Sequence, residues 1–173
     1  MAKGGPFLVD VTPLRKTPGS VLRVQRAGSL GGLGLHLSEV RVPADAEVEV
    51  DAQLAWAGDD VVVTATVRSP WEGTCRRCLE PATGTIEAQV REVYEKDSDG
   101  EETYALDGPR VDLAPLVRDA VLLGLPPAPL CEEGCGGLCP TCGANRSEGD
   151  CGCDTSPRDP RWAALDDLQH RQS

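Results

Sequence analysis

Between Ala46 and Trp56 apolar and polar residues alternate. Val48, Val50, Ala52, Leu54 and Trp56 share one side, and Glu47, Glu49, Asp51 and Gln53 share the other. Period two with β-branched residues predicts a half-buried strand. Gly58-Asp59-Asp60 reads as a turn, and Val61-Val62-Val63-Thr64-Ala65-Thr66-Val67 as a second strand, so the two form an antiparallel hairpin. The alternation returns from Gly84 to Tyr94, with Ile86, Ala88 and Val90 on one side. Residues 96–102 form a charged loop, and Glu102 to Leu106 returns as a short strand.

The period changes after Asp112. Leu113, Leu116, Val117, Ala120 and Val121 make an apolar stripe at helical spacing. Asp112 is a suitable N-cap, Pro115 is tolerated in the first turn, and Gly124 with Pro126-Pro127 stops the helix. This predicts a helix over 112–123 packed on the sheet. Upstream, residues 7–30 read as a short element, a turn at Pro18-Gly19-Ser20 and an extended Val21-Leu22-Arg23-Val24. Downstream, residues 124–160 are loop-rich, and Pro160 to Gln169 is a short helix with Trp162, Leu165 and Leu168 on one side. The expected architecture is α+β: an antiparallel sheet with one packed helix over 1–124, then a loop-rich, zinc-binding extension over 125–173.

Composition narrows the core and the partners. Aromatic residues are 3% of the chain, so Val, Leu and Ala must fill the interior. The net charge is −11 and is unevenly spread. Residues 1–30 carry +4, whereas 31–60 and 92–112 carry −6 each. Polyphosphate is repelled by such a chain at long range. RNA contact would therefore run through local basic patches or through a protein partner. No stretch of about 18 consecutive apolar residues is present to span a membrane. The start lacks the apolar run of a signal peptide, so the expected location is the cytoplasm.

A reducing compartment disfavours disulfides and turns attention to metal. The eight cysteines fall into four pairs: Cys75/Cys78 (C-x2-C), Cys131/Cys135 (C-x3-C), Cys139/Cys142 in a C-P-x-C-G knuckle, and Cys151/Cys153 (C-x-C). Two cysteines separated by a tight turn reach one ion, and a glycine after the second lets the backbone curl around it. Eight thiols suit two zinc ions. In that assignment Cys139, Cys142, Cys151 and Cys153 take one ion, while Cys75, Cys78, Cys131 and Cys135 take the other and tie the sheet to the tail. The alternative is one site built from Cys131, Cys135, Cys139 and Cys142, with the other cysteines free. A redox role for Cys75/Cys78 would need a helix N-terminus in a βαβ setting, and these two lie between antiparallel strands.

No catalytic set is legible. Catalytic zinc keeps an open position for water, and four thiolates close it. His36 and His170 stand at no recognisable catalytic spacing from a serine or aspartate. Gly31-Gly32-Leu33-Gly34 lacks the Gly-Lys-Ser/Thr that a phosphate loop requires.

Several segments carry a resemblance. Cys75-Arg-Arg-Cys78-Leu79-Glu80-Pro81, then Val111-Asp-Leu-Ala-Pro-Leu-Val-Arg-Asp-Ala-Val-Leu-Leu123, then Leu125-Pro-Pro-Ala-Pro-Leu-Cys131 resemble the YceD family, the large-subunit ribosomal RNA accumulation proteins. Cys135-Gly-Gly-Leu-Cys-Pro-Thr-Cys142-Gly143 is similar to its extended, cysteine-rich bacterial version. The resemblance covers about residues 8–170 and implies a non-enzymatic role in making or keeping large-subunit ribosomal RNA, in a ribosome-assembly setting. It carries over no catalytic residue. The RNA-facing candidates are Arg15, Lys16, Arg23, Arg26, Arg76 and Arg77; for the last two, compensation of thiolate charge is the competing role. The other functional expectation is an acidic adaptor that holds a basic ribosomal protein.

Overall fold

The computed structural model describes residues 5–17, 19–30, 34–98, 100 and 102–154. The expected Pro160–Gln169 helix, His170, and part of the Gly31–Gly34 and 96–102 stretches lie outside these. In chain order the elements are β1 (Leu8–Asp10), α1 (Thr12–Lys16), β2 (Val21–Gly28), β3 (His36–Leu37), β4 (Val40–Arg41), β5 (Val48–Ala57), β6 (Asp60–Thr74), β7 (Pro81–Glu95), β8 (Tyr104–Ala105), β9 (Arg110–Asp112) and α2 (Ala114–Gly124).

Alternation makes the sheet. Val48, Val50, Ala52 and Leu54 of β5 are buried, and Glu49, Asp51 and Gln53 face water. The same rule buries Val61, Val63, Ala65, Val67 and Ser69 along β6. Burying a leucine such as Leu54 contributes about 2 kcal/mol, which is why this register is favoured: a slip of one residue would turn the acids of β5 into the core. Gly58, with φ 73°, supplies the left-handed residue that the β5–β6 turn requires.

β6 is the axis of the molecule. Along one edge it pairs first with β5 (Ala57↔Asp60 to Glu49↔Arg68) and then with β4 (Val40↔Gly73, Arg41↔Glu72). Along the other edge it pairs with β7 over its whole length, from Val61↔Tyr94 to Thr74↔Pro81. β2 extends the sheet beyond β5, and β8 lies parallel to the end of β7. The expected return strand is therefore real, though only two residues long. β1 and β9 form a separate antiparallel pair that brings Phe7, Val9, Val11 and Val111 into the core.

α2 covers the sheet with the expected stripe: Leu116, Val117, Ala120 and Val121 are buried, as is Leu113. It starts two residues later than the spacing implied. Asp112 belongs to β9, yet its carboxylate accepts the Ala114 N–H at 2.9 Å, so it caps the helix from within the preceding strand. Two tyrosines pin the helix further. The Tyr94 hydroxyl donates to the Asp112 carbonyl (3.0 Å), the Tyr104 hydroxyl donates to Asp119 (2.9 Å), and the two rings stack at 5.1 Å. Burial pushes both phenols well above their ordinary pKa. Among the described residues no helix is long and apolar enough to cross a membrane.

The far end of the β6–β7 hairpin depends on one close approach. Trp71 packs against both the main core and a smaller cluster of Cys75, Cys78, Ala82 and Cys135. Its indole lies over Gly84, where a Cβ would come within 2.8 Å of the ring. Gly84→Ala should therefore displace Trp71 and cost roughly 1–3 kcal/mol. Thermal denaturation checks this: an unchanged midpoint would mean that the indole moves aside freely.

Candidate metal centres

The β6–β7 hairpin closes in a six-residue loop, Cys75 to Glu80, whose ends are fixed by the last ladder pair, Thr74↔Pro81. The Cys75 N–H donates to the Glu80 carbonyl (2.8 Å), and the Leu79 N–H donates back to the Cys75 carbonyl (3.0 Å). This tight turn leaves the N–H groups inside it pointing at the Cys75 sulfur. The Cys78 N–H leads, the Cys131 and Arg77 N–H groups add to it, and together they pull the Cys75 thiol down to about 6 against its burial.

A second turn repeats the pattern. The Cys139 N–H donates to the Ala144 carbonyl (2.8 Å), and the Gly143 N–H donates to the Cys139 carbonyl (2.8 Å). An isolated antiparallel bridge, Leu138↔Asn145, takes the place of the flanking strands. The Cys142 and Thr141 N–H groups pull the Cys139 thiol to about 6. In both turns the fifth residue has positive φ: 75° at Gly143 and 65° at Leu79. Glycine adopts this conformation freely. For leucine it costs about 1–2 kcal/mol.

Each turn receives a second cysteine pair. The sulfurs of Cys75, Cys78, Cys131 and Cys135 lie within 4.8 Å of one another, and so do those of Cys139, Cys142, Cys151 and Cys153. The structure thus brings Cys131 and Cys135 to Cys75 and Cys78, not to Cys139 and Cys142. In the first group, Cys75 and Cys135 Sγ are 3.8 Å apart, and Cys78 and Cys131 Sγ are 3.6 Å apart. A tetrahedron with metal–sulfur bonds near 2.3 Å has edges of about 3.8 Å. The donor set and its spacing therefore fit a tetrahedral thiophilic ion, and both tetrads could hold one. Without an ion the sulfurs must share protons. Contact with Cys78 and then Cys135 pushes the Cys131 thiol up to about 12, and contact with Cys142 and Cys151 pushes Cys153 up to about 12.

The tetrads differ in cover. Cys75, Cys78 and Cys135 are buried and Cys131 is exposed. In the other group only Cys139 is buried, Cys142 is exposed, and Cys151 and Cys153 are half-buried. The segment 125–138 is anchored to the hairpin by backbone bonds from Arg76 N–H to the Pro129 carbonyl (2.9 Å) and from Leu138 N–H to the Arg77 carbonyl (3.0 Å). Gly137 makes the second approach possible, since a Cβ there would sit 3.1 Å from the Arg77 carbonyl oxygen and φ is 70°. Neither Gly137 nor the strain at Leu79 is apparent from the cysteine pattern. Aligning Cys75-Arg-Arg-Cys-Leu-Glu80 with Cys139-Pro-Thr-Cys-Gly-Ala144 would have shown that Leu79 occupies a glycine position.

The six basic candidates do not meet. Arg15 stacks over Trp56 at 4.9 Å, beside the start of β6, and Lys16 is exposed next to it. Arg23 and Arg26 lie on opposite faces of β2, because three residues is an odd step along a strand. Arg23 pairs with Gln53, which faces Thr64; from there the hairpin tip at Thr74 lies ten residues along β6, about 33 Å at roughly 3.3 Å per residue. Arg76 and Arg77 are both exposed, and Arg77 also donates to the Cys135 carbonyl (3.0 Å), which ties it to the first tetrad.

Gly137→Ala should weaken the join between the two turns, because both the left-handed backbone and the contact with Arg77 resist a Cβ. A loss of about 1–3 kcal/mol is expected. Faster hydrogen exchange at the Leu138 amide would report it, and unchanged protection would count against that join.

The family model for the large ribosomal RNA subunit accumulation protein YceD matches residues 63–169. An uncharacterized protein of Mycobacterium leprae is 31% identical over 94% of the chain and 77% of its own length. Uncharacterized proteins of Mycobacterium bovis and Mycobacterium tuberculosis are 33% identical over 92% of the chain and 80% of theirs. No solved structure matches the chain. The family match takes in the hairpin tip, α2 and both cysteine tetrads, and on it the chain belongs to the YceD family.

Proposed function

We propose that the chain is a non-enzymatic ribosome-biogenesis factor of the cytoplasm, with two structural zinc ions, that supports processing or accumulation of large-subunit ribosomal RNA. The observation that carries the RNA role is the match to the accumulation-protein family across most of the chain. The observation that carries zinc is the pair of four-sulfur groups, each with all its sulfurs within 4.8 Å. Zinc suits four thiolates because it has no redox chemistry of its own and takes a tetrahedron readily. Four protein ligands leave no position for an activated water, so the ions would hold shape and hydrolyse nothing.

In this reading the two segments 1–124 and 125–173 have separate tasks. The sheet and α2 form the stable body. The cysteine-rich extension is held in place by the first ion, whose ligands come from both segments, and is shaped locally by the second. Arg15, Lys16, Arg23, Arg26, Arg76 and Arg77 then offer dispersed cationic points rather than one RNA groove, which agrees with the net charge of −11.

A second reading is favoured by the groove beside α2. Glu92, Glu102 and Asp119 line a recess of about 450 Å³ together with Leu122 and Leu123. Acids around the exposed Leu123 and the half-buried Leu122 suit a cationic protein segment, so the chain would act as an adaptor that holds a basic ribosomal protein before assembly.

Metal analysis of the purified chain should find close to two zinc ions per molecule; one ion or none would remove one or both centres. Cys142→Ser should reduce this to about one ion and leave the near-ultraviolet spectrum of the sheet unchanged. Collapse of the sheet as well would show that the two segments are not separable. Cells lacking the protein should contain less mature large-subunit ribosomal RNA, read by gel or sequencing; normal amounts would end the RNA role. Affinity capture with and without RNase distinguishes the two readings, since a basic ribosomal protein retained after RNase supports the adaptor.

A further inference from the structure

The two cysteine turns form an internal comparison. They share the same pair of backbone hydrogen bonds, at 2.8 and 3.0 Å around Cys75 and 2.8 and 2.8 Å around Cys139, and the same left-handed fifth residue. At Gly143 a Cβ would meet nothing within 4 Å, so crowding does not explain the glycine; the backbone conformation does. The matching position in the first turn holds Leu79, a residue that is 64% exposed. This leucine therefore bears the backbone strain and, among the described residues, recovers little of it through burial. An exposed apolar side chain kept in a strained conformation gains when another surface covers it.

The charges around it select the partner. Glu80, Glu132 and Glu133 are exposed on the segments that form the first tetrad. Arg76 and Arg77 are the exposed cations of the turn, and Arg77 donates one guanidinium N–H to the Cys135 carbonyl. Over residues 75–80 and 130–151, acids outnumber bases five to three. Four thiolates around a dication would add further negative charge. Phosphate is repelled from such a rim, and Lys or Arg side chains are attracted to it.

We infer that Leu79 is the apolar anchor of a docking surface for a basic protein, one that offers an apolar socket bordered by Lys or Arg side chains. The inference rests on the reading of the chain as a ribosome-assembly factor and names the contact through which it meets a protein of the particle. Gly143, on the more exposed second turn, has no such side chain, so the first turn is the docking point.

The test uses the full chain in a bacterium that encodes it, with a diazirine analogue of leucine at position 79. Irradiation should give adducts that survive RNase and map to a Lys/Arg-rich segment of a large-subunit protein. Adducts to RNA, adducts to an acidic protein segment, or none at all would overturn the proposal. Leu79→Gly supplies the second arm. Relief of strain should leave the melting temperature equal or raise it by about 2–4 °C, while recovery of the crosslinked partner by the tagged chain falls at least ten-fold. A lower melting temperature, or undiminished recovery, would overturn the proposal as well. The two levels of inference fail separately. Normal large-subunit RNA in cells without the chain removes the assembly role itself. A deficit that the Leu79→Gly chain fully rescues removes only the docking role.

Discussion

Four cysteine sulfurs within a few ångströms of one another cannot all be thiolates unless a cation sits among them. That electrostatic constraint governs the Cys75–Glu80 turn and the segment from Cys131 to Cys153. In each tetrad one sulfur, Cys75 or Cys139, is already favoured as a thiolate by backbone N–H groups, while Cys131 and Cys153 are held protonated by their neighbours. A divalent ion bound there would replace the shared protons, and its binding would be coupled to the conformation of the loops that carry the sulfurs. Loops with so few apolar residues have little else to order them: apart from the cysteines, the smaller core contains Ala82, with Trp71 and Leu130 at its edge.

The sheet makes this arrangement possible. β6 and β7 are each 15 residues long and paired throughout, so the hairpin extends past the part covered by α2 and presents the Cys75–Glu80 turn at its end. Trp71 links the two regions because Gly84 lets its indole lie flat against β7. The first tetrad is thus built on a rigid ladder and is mostly buried, and the second is built on an isolated bridge and is more open. The two centres have the same ligands and different mechanical support. The first joins distant parts of the chain, and the second organises only its own loop.

Charge separates what this molecule can contact. The acidic surface and the scattered arginines argue against a continuous RNA-binding face, whereas exposed leucines next to acids recur at the α2 groove and at the cysteine turn. On the adaptor proposal, the effect on ribosomal RNA would run through an escorted basic protein, one step removed from direct contact.

Much of this was legible from residue order alone, because the responsible physics is local. Alternation in β5, β6 and β7 marks one face as apolar whatever the rest of the chain does, and the stripe in α2 does the same at helical period. The short cysteine spacings likewise require tight turns. Other features were settled only by tertiary structure. The partnership of Cys75 and Cys78 with Cys131 and Cys135 spans more than 50 residues and depends on where β7 and α2 deliver the chain. The start of α2 moved because β9 pairs with β1, which holds Asp112 in a strand while its carboxylate still caps the helix. The dispersal of the six basic residues follows from strand parity and the length of β6. The strain at Leu79 exists because a hydrogen-bonded turn imposes a backbone angle on whichever residue occupies that place.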